Sequence, residues 1–167
     1  MEQATCSPVN KQTLVTKIVE QLTAELGVYF KAARAAHAEA THEQSRAENK
    51  YDTRGLEASY LARGQSKQAA EIEASITEFR ALSPREFTAT DEIDVGALVE
   101  LGSGRQRNFY LIGPRAGGTE VMHEETEVLV ITPQSPLGQQ IVGRKQGERV
   151  KIQIAGEQSD YKIVSVS

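Results

Sequence analysis

The side chains able to do chemistry are few in this chain, and most stand alone. There are three histidines, His37, His42 and His123, and one cysteine, Cys6. His42 is followed by Glu43, but one imidazole and one carboxylate make a poor metal site, since zinc sites use three or four protein ligands. His123-Glu124-Glu125 lacks the second histidine of a zinc-protease motif and reads as an exposed loop. The glycine-rich stretches at Gly102 to Arg105 and Gly113 to Gly118 lack the lysine and hydroxyl residue that end a phosphate-binding loop, so they read as turns. Cys6 has no second cysteine to pair with. What remains is one dense charged cluster, Arg46 to Asp52, with Arg54 just beyond it. Its carboxylates, Glu48 and Asp52, stand four residues apart, with Glu43 behind them. They are either a pair that acts together or solvated turn charges balanced by Arg46, Lys50 and Arg54, depending on the geometry of the turn.

The flanking sequence says how that cluster is held. From Asn10 to Leu82 there is no proline, and two hydrophobic seams mirror each other. The first runs Val19, Leu22, Leu26, Tyr29, Ala33, Ala36, Ala40, in alternating steps of three and four. The second runs Ala58, Ala62, Gln65, Ala69, Ile72, Ile76, Phe79, with the same alternation. This is the spacing of a coiled-coil seam. Folded antiparallel, Leu22 meets Ile76 and Ala40 meets Ala58, which puts the fold-back near Asn49. The spacing predicts a helical hairpin with arms of roughly 50 Å, from a rise of 1.5 Å per residue. Large residues lie at its base and alanines towards its tip. A long stalk that presents a charged tip is a reaching device. Gly55 suits a helix end or the first turn of the return helix.

Composition bounds the rest. A chain of 167 residues with 39% hydrophobics and no tryptophan has room for one large or two small domains. The net charge of −4 argues against generic duplex binding through a basic surface. Arg63 and Lys67, with Lys50 and Arg54, read as a solvated face. The first residues are not a basic segment followed by an apolar run, and no window approaches a membrane span. The expectation is a soluble, cytoplasmic protein without a membrane partner.

Pro84 ends the second helix, and the hydrophobic period then switches from 3.5 to 2. The expected organisation is a hairpin over 1–83, a linker over 84–91 and a β domain over 92–167. Val95, Ala97, Val99 and Leu101 alternate; Asn108 to Ile112, Glu127 to Thr132, Arg149 to Ile154 and Tyr161 to Val166 read as further strands, with a short one around Val121. The result is an α+β chain whose second part is a small, mostly antiparallel sheet. One helix interrupts it. Ser135 is a good N-cap, Pro136 fits the first helical position, Leu137 and Ile141 share a face, and Gly143 is the stop. Gln134, Ser135 and Pro136 form an exposed corner where strand becomes helix, a common place for binding residues.

The segment Ile131 to Val150, with Ser135, Pro136, Leu137, Ile141, Gly143, Gly147 and Val150 at matching places, resembles the C-terminal domain of bacterial Gre transcript-cleavage factors. An N-terminal antiparallel coiled coil joined to such a domain is also that family's architecture. The resemblance implies an FKBP-like C-terminal fold that docks on the rim of the RNA polymerase secondary channel, here through Gln134, Ser135 and Pro136. It implies a coiled coil inserted into the channel, with tip acids that help hold magnesium and water at the polymerase's own active centre, where backtracked RNA is cut. The chain would then be no enzyme itself, and would bind no cofactor stably. Magnesium prefers oxygen ligands and keeps several waters, so one or two borrowed carboxylates suffice. Carried over residue by residue, Glu48-Asn49 matches the family's tip, while Ser45 stands where the family has an aspartate and Tyr51 is one place early. The acids on offer for catalysis and for the shared magnesium are therefore Glu48 and Asp52. Lys50 and Arg54 become candidates for contact with nascent RNA or the channel wall. Three readings stay open: a Gre-like factor that stimulates cleavage, one that occupies the channel without doing so, and a coiled-coil adaptor unrelated to transcription. Prolyl isomerase activity is disfavoured, because only Phe109, Tyr110 and Tyr161 after residue 90 could line a proline pocket.

Overall fold

The computed structural model describes residues 10–41, 54–123, 125–154 and 157–167. Two long helices come first, α1 over Lys11–Thr41 and α2 over Arg54–Ala81. Asn10 caps α1: its Oδ1 accepts from Thr13 N–H at 3.1 Å, and its carbonyl accepts from Leu14 N–H at 3.0 Å. α2 closes with a tighter bond, Leu82 N–H to Phe79 C=O at 3.2 Å, two residues before Pro84.

The chain divides into two compact units. One is Glu20–Thr77, the other the described residues up to Val19 together with Glu78–Ser167. The start of α1 and the end of α2 thus fall in the same unit, so the two helices run in opposite directions. Within Glu20–Thr77 the buried apolar residues are Leu22, Ala36, Ala58, Ala62, Ala69, Ile72 and Ile76. All are seam positions, and Leu26, Tyr29 and Ala33 are half-buried. Burial of the seam on both helices, in a unit whose described residues comprise only these helices, is the pattern of a helical pair. Small alanines towards the turn and isoleucines towards the base grade the apolar area buried along it. The turn predicted between Arg46 and Gly55 lies outside the described residues except for Arg54 and Gly55, which open α2.

The other unit is built on a six-stranded sheet: β1 Leu98–Ser103, β2 Gln106–Ile112, β3 Glu120–His123, β4 Thr126–Ile131, β5 Arg149–Ile154 and β6 Glu157–Val166, in the order β3-β4-β2-β1-β6-β5. Four neighbouring pairs are antiparallel, while β2 and β4 run parallel, Phe109 opposite Val128 and Ile112 opposite Ile131. The sheet is therefore mixed. β3 takes the antiparallel place beside β4, so β4 reaches β2 only by a crossover, which a strand-by-strand reading does not reveal. The helix α3, Gly138–Ile141, lies between β4 and β5 in the chain.

The two faces of the sheet have different coverings. Val99, Leu101, Ile112, Ile131, Val150, Ile152, Ile163 and Val166 form a core with Ile141 of α3 and with Phe87 and Ile93. Leu98, Leu111, Val121, Val128 and Val130 are buried on the other face, and Leu14, Ile18 and Phe79 are buried at the helix ends in this unit. Gly113 marks that contact, since a Cβ there would sit 2.8 Å from the Phe79 ring and 2.8 Å from Val130. A side chain at this position would push the end of α2 off the sheet.

Two local expectations need correction. His123 is no exposed loop residue: it ends β3, is 4% exposed, and its Nδ1 has no hydrogen-bond partner among the described residues. It shares a face with Val121, and the apolar covering of that face buries it. Phe87, in the segment that composition reads as a linker, is also buried. The Arg85 guanidinium lies 4.0 Å from its ring centroid and Lys11 Nζ lies 5.1 Å away, while Lys11 also donates to the Arg85 carbonyl. Burial holds the Lys11 ammonium below its usual range, an effect opposed by the nearby Glu86 carboxylate.

Candidate functional site

The corner between β4 and α3 is a small, heavily bonded structure. Ser135 Oγ donates to Thr132 C=O at 2.7 Å and accepts from Gly138 N–H at 3.0 Å. The Ser135 backbone carbonyl accepts from Gln139 N–H at 2.9 Å, an i to i+4 bond. Ser135 thus caps the turn that leads into α3, with Pro136 in that turn, while regular α-helix is confined to Gly138–Ile141 and its own N-cap residue, Leu137, makes no side-chain cap bond. The reason is visible in the bonding: Gln140 N–H reaches Leu137 C=O at 3.0 Å, a 3₁₀ step that interrupts the α pattern. α3 ends at Val142, which is extended, and Gly143 takes φ +81°, a conformation that favours glycine.

Gln134 and Pro136 are exposed, Ser135 and Leu137 half-buried, and Gly138 and Ile141 buried. Ile141, fully buried, anchors the corner to the core. Gly138 allows a close approach of two backbone segments, since a Cβ there would lie 1.9 Å from Thr132 O. Two side chains not singled out from sequence complete the arrangement. Gln139 Nε2 donates to Gln134 C=O at 2.9 Å, and Gln140 Nε2 donates to Pro136 C=O at 2.7 Å. Gln140 Oε1 also accepts from Gln153 N–H on β5 at 3.1 Å. Tandem glutamines on a short helix carry no sequence signal of such a role, because either could equally project into water. The corner therefore presents a fixed, uncharged surface of amide, hydroxyl and proline ring, suited to protein contact rather than to bond-making.

Glu48, Lys50 and Asp52 lie outside the described residues, as do Glu43, Ser45 and His42. Arg54 is the first residue of α2, and its side chain is outside the description. His37 is exposed on α1. Among the described residues no group of three or more histidine, cysteine or acidic side chains could hold a metal ion. None of the described helices is long and apolar enough to cross a membrane. An open cleft of about 350 Å³ lies elsewhere on the sheet, with Phe109, Tyr110 and Leu129 among its lining and Glu120, Glu125 and Glu127 beside them. Burial pushes the Tyr110 hydroxyl above its usual range, and Tyr161 adds to that.

With this geometry in place, comparison with known proteins defines the class. Residues 88–167 match the family model described as "Transcription elongation factor, GreA/GreB, C-term". The domain at residues 88–167, close to half of the chain, belongs to that family and is Gre-like. Among curated proteins it is similar to the transcription elongation factor GreA of Alkalilimnicola ehrlichii, with 24% identity over 101 residues, or 58% of either chain. The chain thus spans little more than half the length of that relative. Among solved structures it is similar to the GreA factor homolog 1 (Gfh1) protein of Thermus thermophilus, at 20% identity and a TM-score of 0.38, covering 89% of this chain and 94% of that one. It is likewise similar to Thermus aquaticus Gfh1, at 21% identity and a TM-score of 0.39, covering 88% and 92%.

Proposed function

We propose that this Gre-like chain is a transcription elongation regulator that binds RNA polymerase. In this reading the corner at Gln134, Ser135 and Pro136 docks on the rim of the secondary channel, and the helical hairpin enters the channel with its tip towards the active centre. The observation that carries the proposal is the conjunction of a GreA/GreB-type domain over residues 88–167 with a preceding antiparallel helical pair. The rigid, exposed, uncharged corner supports it as a docking surface. The chain contributes no nucleophile of its own, and any cleavage would be the polymerase's, with Glu48 and Asp52 supplying carboxylates to a magnesium ion held there. Nascent RNA would be met indirectly, near Lys50 and Arg54. Ser45 supplies no second acid at the position where the resemblance expects one, so stimulation of cleavage should be weak.

The test has two parts. Core polymerase should retain the natural chain in a pull-down, and Pro136→Ala should weaken that retention while the fold stays intact. Added to stalled, backtracked complexes, the chain should compete with an active cleavage factor more strongly than it shortens the transcript itself. A chain that shows no affinity for core polymerase would refute the proposal and favour the adaptor reading.

A further inference from the structure

The corner's hydrogen bonds single out Gln139 and Gln140. Along Thr132 to Gly138, backbone donors serve some carbonyls: Ser135 N–H takes Thr132 C=O at 3.0 Å, Gln139 N–H takes Ser135 C=O at 2.9 Å, and Gln140 N–H takes Leu137 C=O at 3.0 Å. The carbonyls of Gln134 and Pro136, which bracket Ser135, instead receive the side-chain amides of Gln139 and Gln140. At Pro136 the cause is the 3₁₀ step, which moves the Gln140 N–H to Leu137 C=O; at Gln134 it is Ser135 Oγ, which takes the Gly138 N–H that an α-turn would give to that carbonyl. Gln140 then uses its own oxygen on Gln153 N–H, so one side chain ties the corner to β5. Gln153 is exposed and β5 is an edge strand, so its outward N–H would otherwise face solvent.

We infer that Gln139 and Gln140 are positioning residues that hold the Gln134-Ser135-Pro136 corner in its binding shape before a protein partner arrives. The inference rests on the proposed docking role of that corner and deepens it. The physical reason is that a loop already ordered in its bound form loses less conformational freedom on association. Neither glutamine needs to touch the partner, because each acts through a carbonyl of the corner.

Methionine tests this, having a similar length and no charge, amide donor or carbonyl acceptor. In Gln139→Met, Gln140→Met and the double variant, amide exchange and ¹⁵N relaxation at Gln134, Ser135, Leu137 and Gly138 should show a looser corner. The amides of Val130 and Ile163 in the sheet should exchange as in the natural chain. Core polymerase should bind each single variant about five- to tenfold more weakly and the double variant more weakly still, the scale of one or two lost constraints. Gln139→Met is the safeguard if Gln140→Met perturbs the sheet through the loss of its bond to Gln153, since Gln139 is exposed and its bond stays within the corner. Natural corner dynamics in both single variants would overturn the inference. So would a loosened corner that binds polymerase with unchanged affinity. If the natural chain itself fails to bind polymerase, the docking role falls, while the exchange measurements still decide whether the glutamines hold the corner.

Discussion

Replacing Ser135 by alanine removes one hydroxyl that serves two partners, and the structure says which loss matters. Thr132 C=O keeps Ser135 N–H at 3.0 Å, so losing the hydroxyl donor leaves that carbonyl satisfied. Gly138 N–H is in a different position: its residue is buried, and its bond is the one to Ser135 Oγ at 3.0 Å. An N-cap replaced by alanine costs about 0.5–2 kcal/mol, and a buried donor left without its acceptor about 1–3 kcal/mol. The two describe the same lost bond and are not summed, so the expected destabilisation of the sheet unit is about 1–3 kcal/mol. The chain has no tryptophan, and helix dominates its far-ultraviolet signal, so the unit is best read through its own amides. Val130 N–H, bonded to Thr119 C=O at 2.8 Å, and Ile163 N–H, bonded to Glu148 C=O at 2.9 Å, lie in the sheet and report its opening. Their exchange in Ser135→Ala should accelerate roughly five- to 150-fold, the conversion of that free energy at about 1.4 kcal/mol per decade. Ser135→Thr keeps both donor and acceptor and should recover most of the protection. Unchanged exchange in Ser135→Ala would refute the capping argument. So would equal acceleration in the alanine and threonine variants, because the hydroxyl would then not be the group responsible.

Ile141→Ala should cost the sheet unit about 2–5 kcal/mol in urea unfolding, since the side chain is fully buried in the core, whereas Pro136→Ala should leave the melting temperature within about 5 °C, as expected of an exposed substitution costing under about 0.5 kcal/mol. Thr88 N–H and Oγ1 both donate to Asp91 Oδ2, at 2.7 and 2.9 Å, and these bonds hold its carboxyl below the ordinary value of 3.8. The stabilising contribution of Asp91 is therefore present above pH 3.8 and is lost as pH falls through the lower folded value; a carboxyl titration followed by NMR should place the midpoint below 3.8. At the tip, Ser45→Asp should raise transcript cleavage on stalled complexes, and Glu48→Gln should abolish whatever cleavage the natural chain stimulates without weakening its binding to polymerase; cleavage that survives loss of both Glu48 and Asp52 would remove these residues from the chemistry.

The parts of the fold legible in the sequence are those set by local or periodic rules. The seam over α1 and α2 is such a case, because every third or fourth position tests the same hypothesis and burial falls on those positions. The corner at Ser135 is another, since a cap, a proline and a terminal glycine each act within one turn of their own place. What stayed hidden depends on groups far apart in the chain. Parallel pairing of β2 with β4 is fixed by a crossover, and nothing in either strand states its partner. His123 reads as solvated beside two glutamates, yet the alternation of β3 turns it to the same face as Val121. Phe87 sits among polar neighbours but joins the sheet core, with the Lys11 and Arg85 cations near its ring. Gln139 and Gln140 are opaque for a third reason: a glutamine amide on a helix surface finds its partner only once the local bonding, here a 3₁₀ step and the Ser135 cap, has freed a carbonyl.

The proposed docking and the proposed tip chemistry would make separate demands on this chain. Docking needs a rigid exposed surface, and the sequence supplies its elements redundantly: Ile141 fixes the position, Ser135 and Gly138 set the turn, and two glutamines take up the spare carbonyls. Magnesium chemistry at a tip needs carboxylates at defined places, and loss of one is not offset by packing elsewhere. Substitutions at sites that share no partners have nearly additive effects. A Gre-like chain can therefore keep its C-terminal domain while its tip changes. The family match covers residues 88–167 and so supports the docking half of the proposed function. The serine at position 45 bears only on the other half. Under the proposed function, a competent corner with an incomplete acidic pair makes the expected regulation one of position rather than of catalysis.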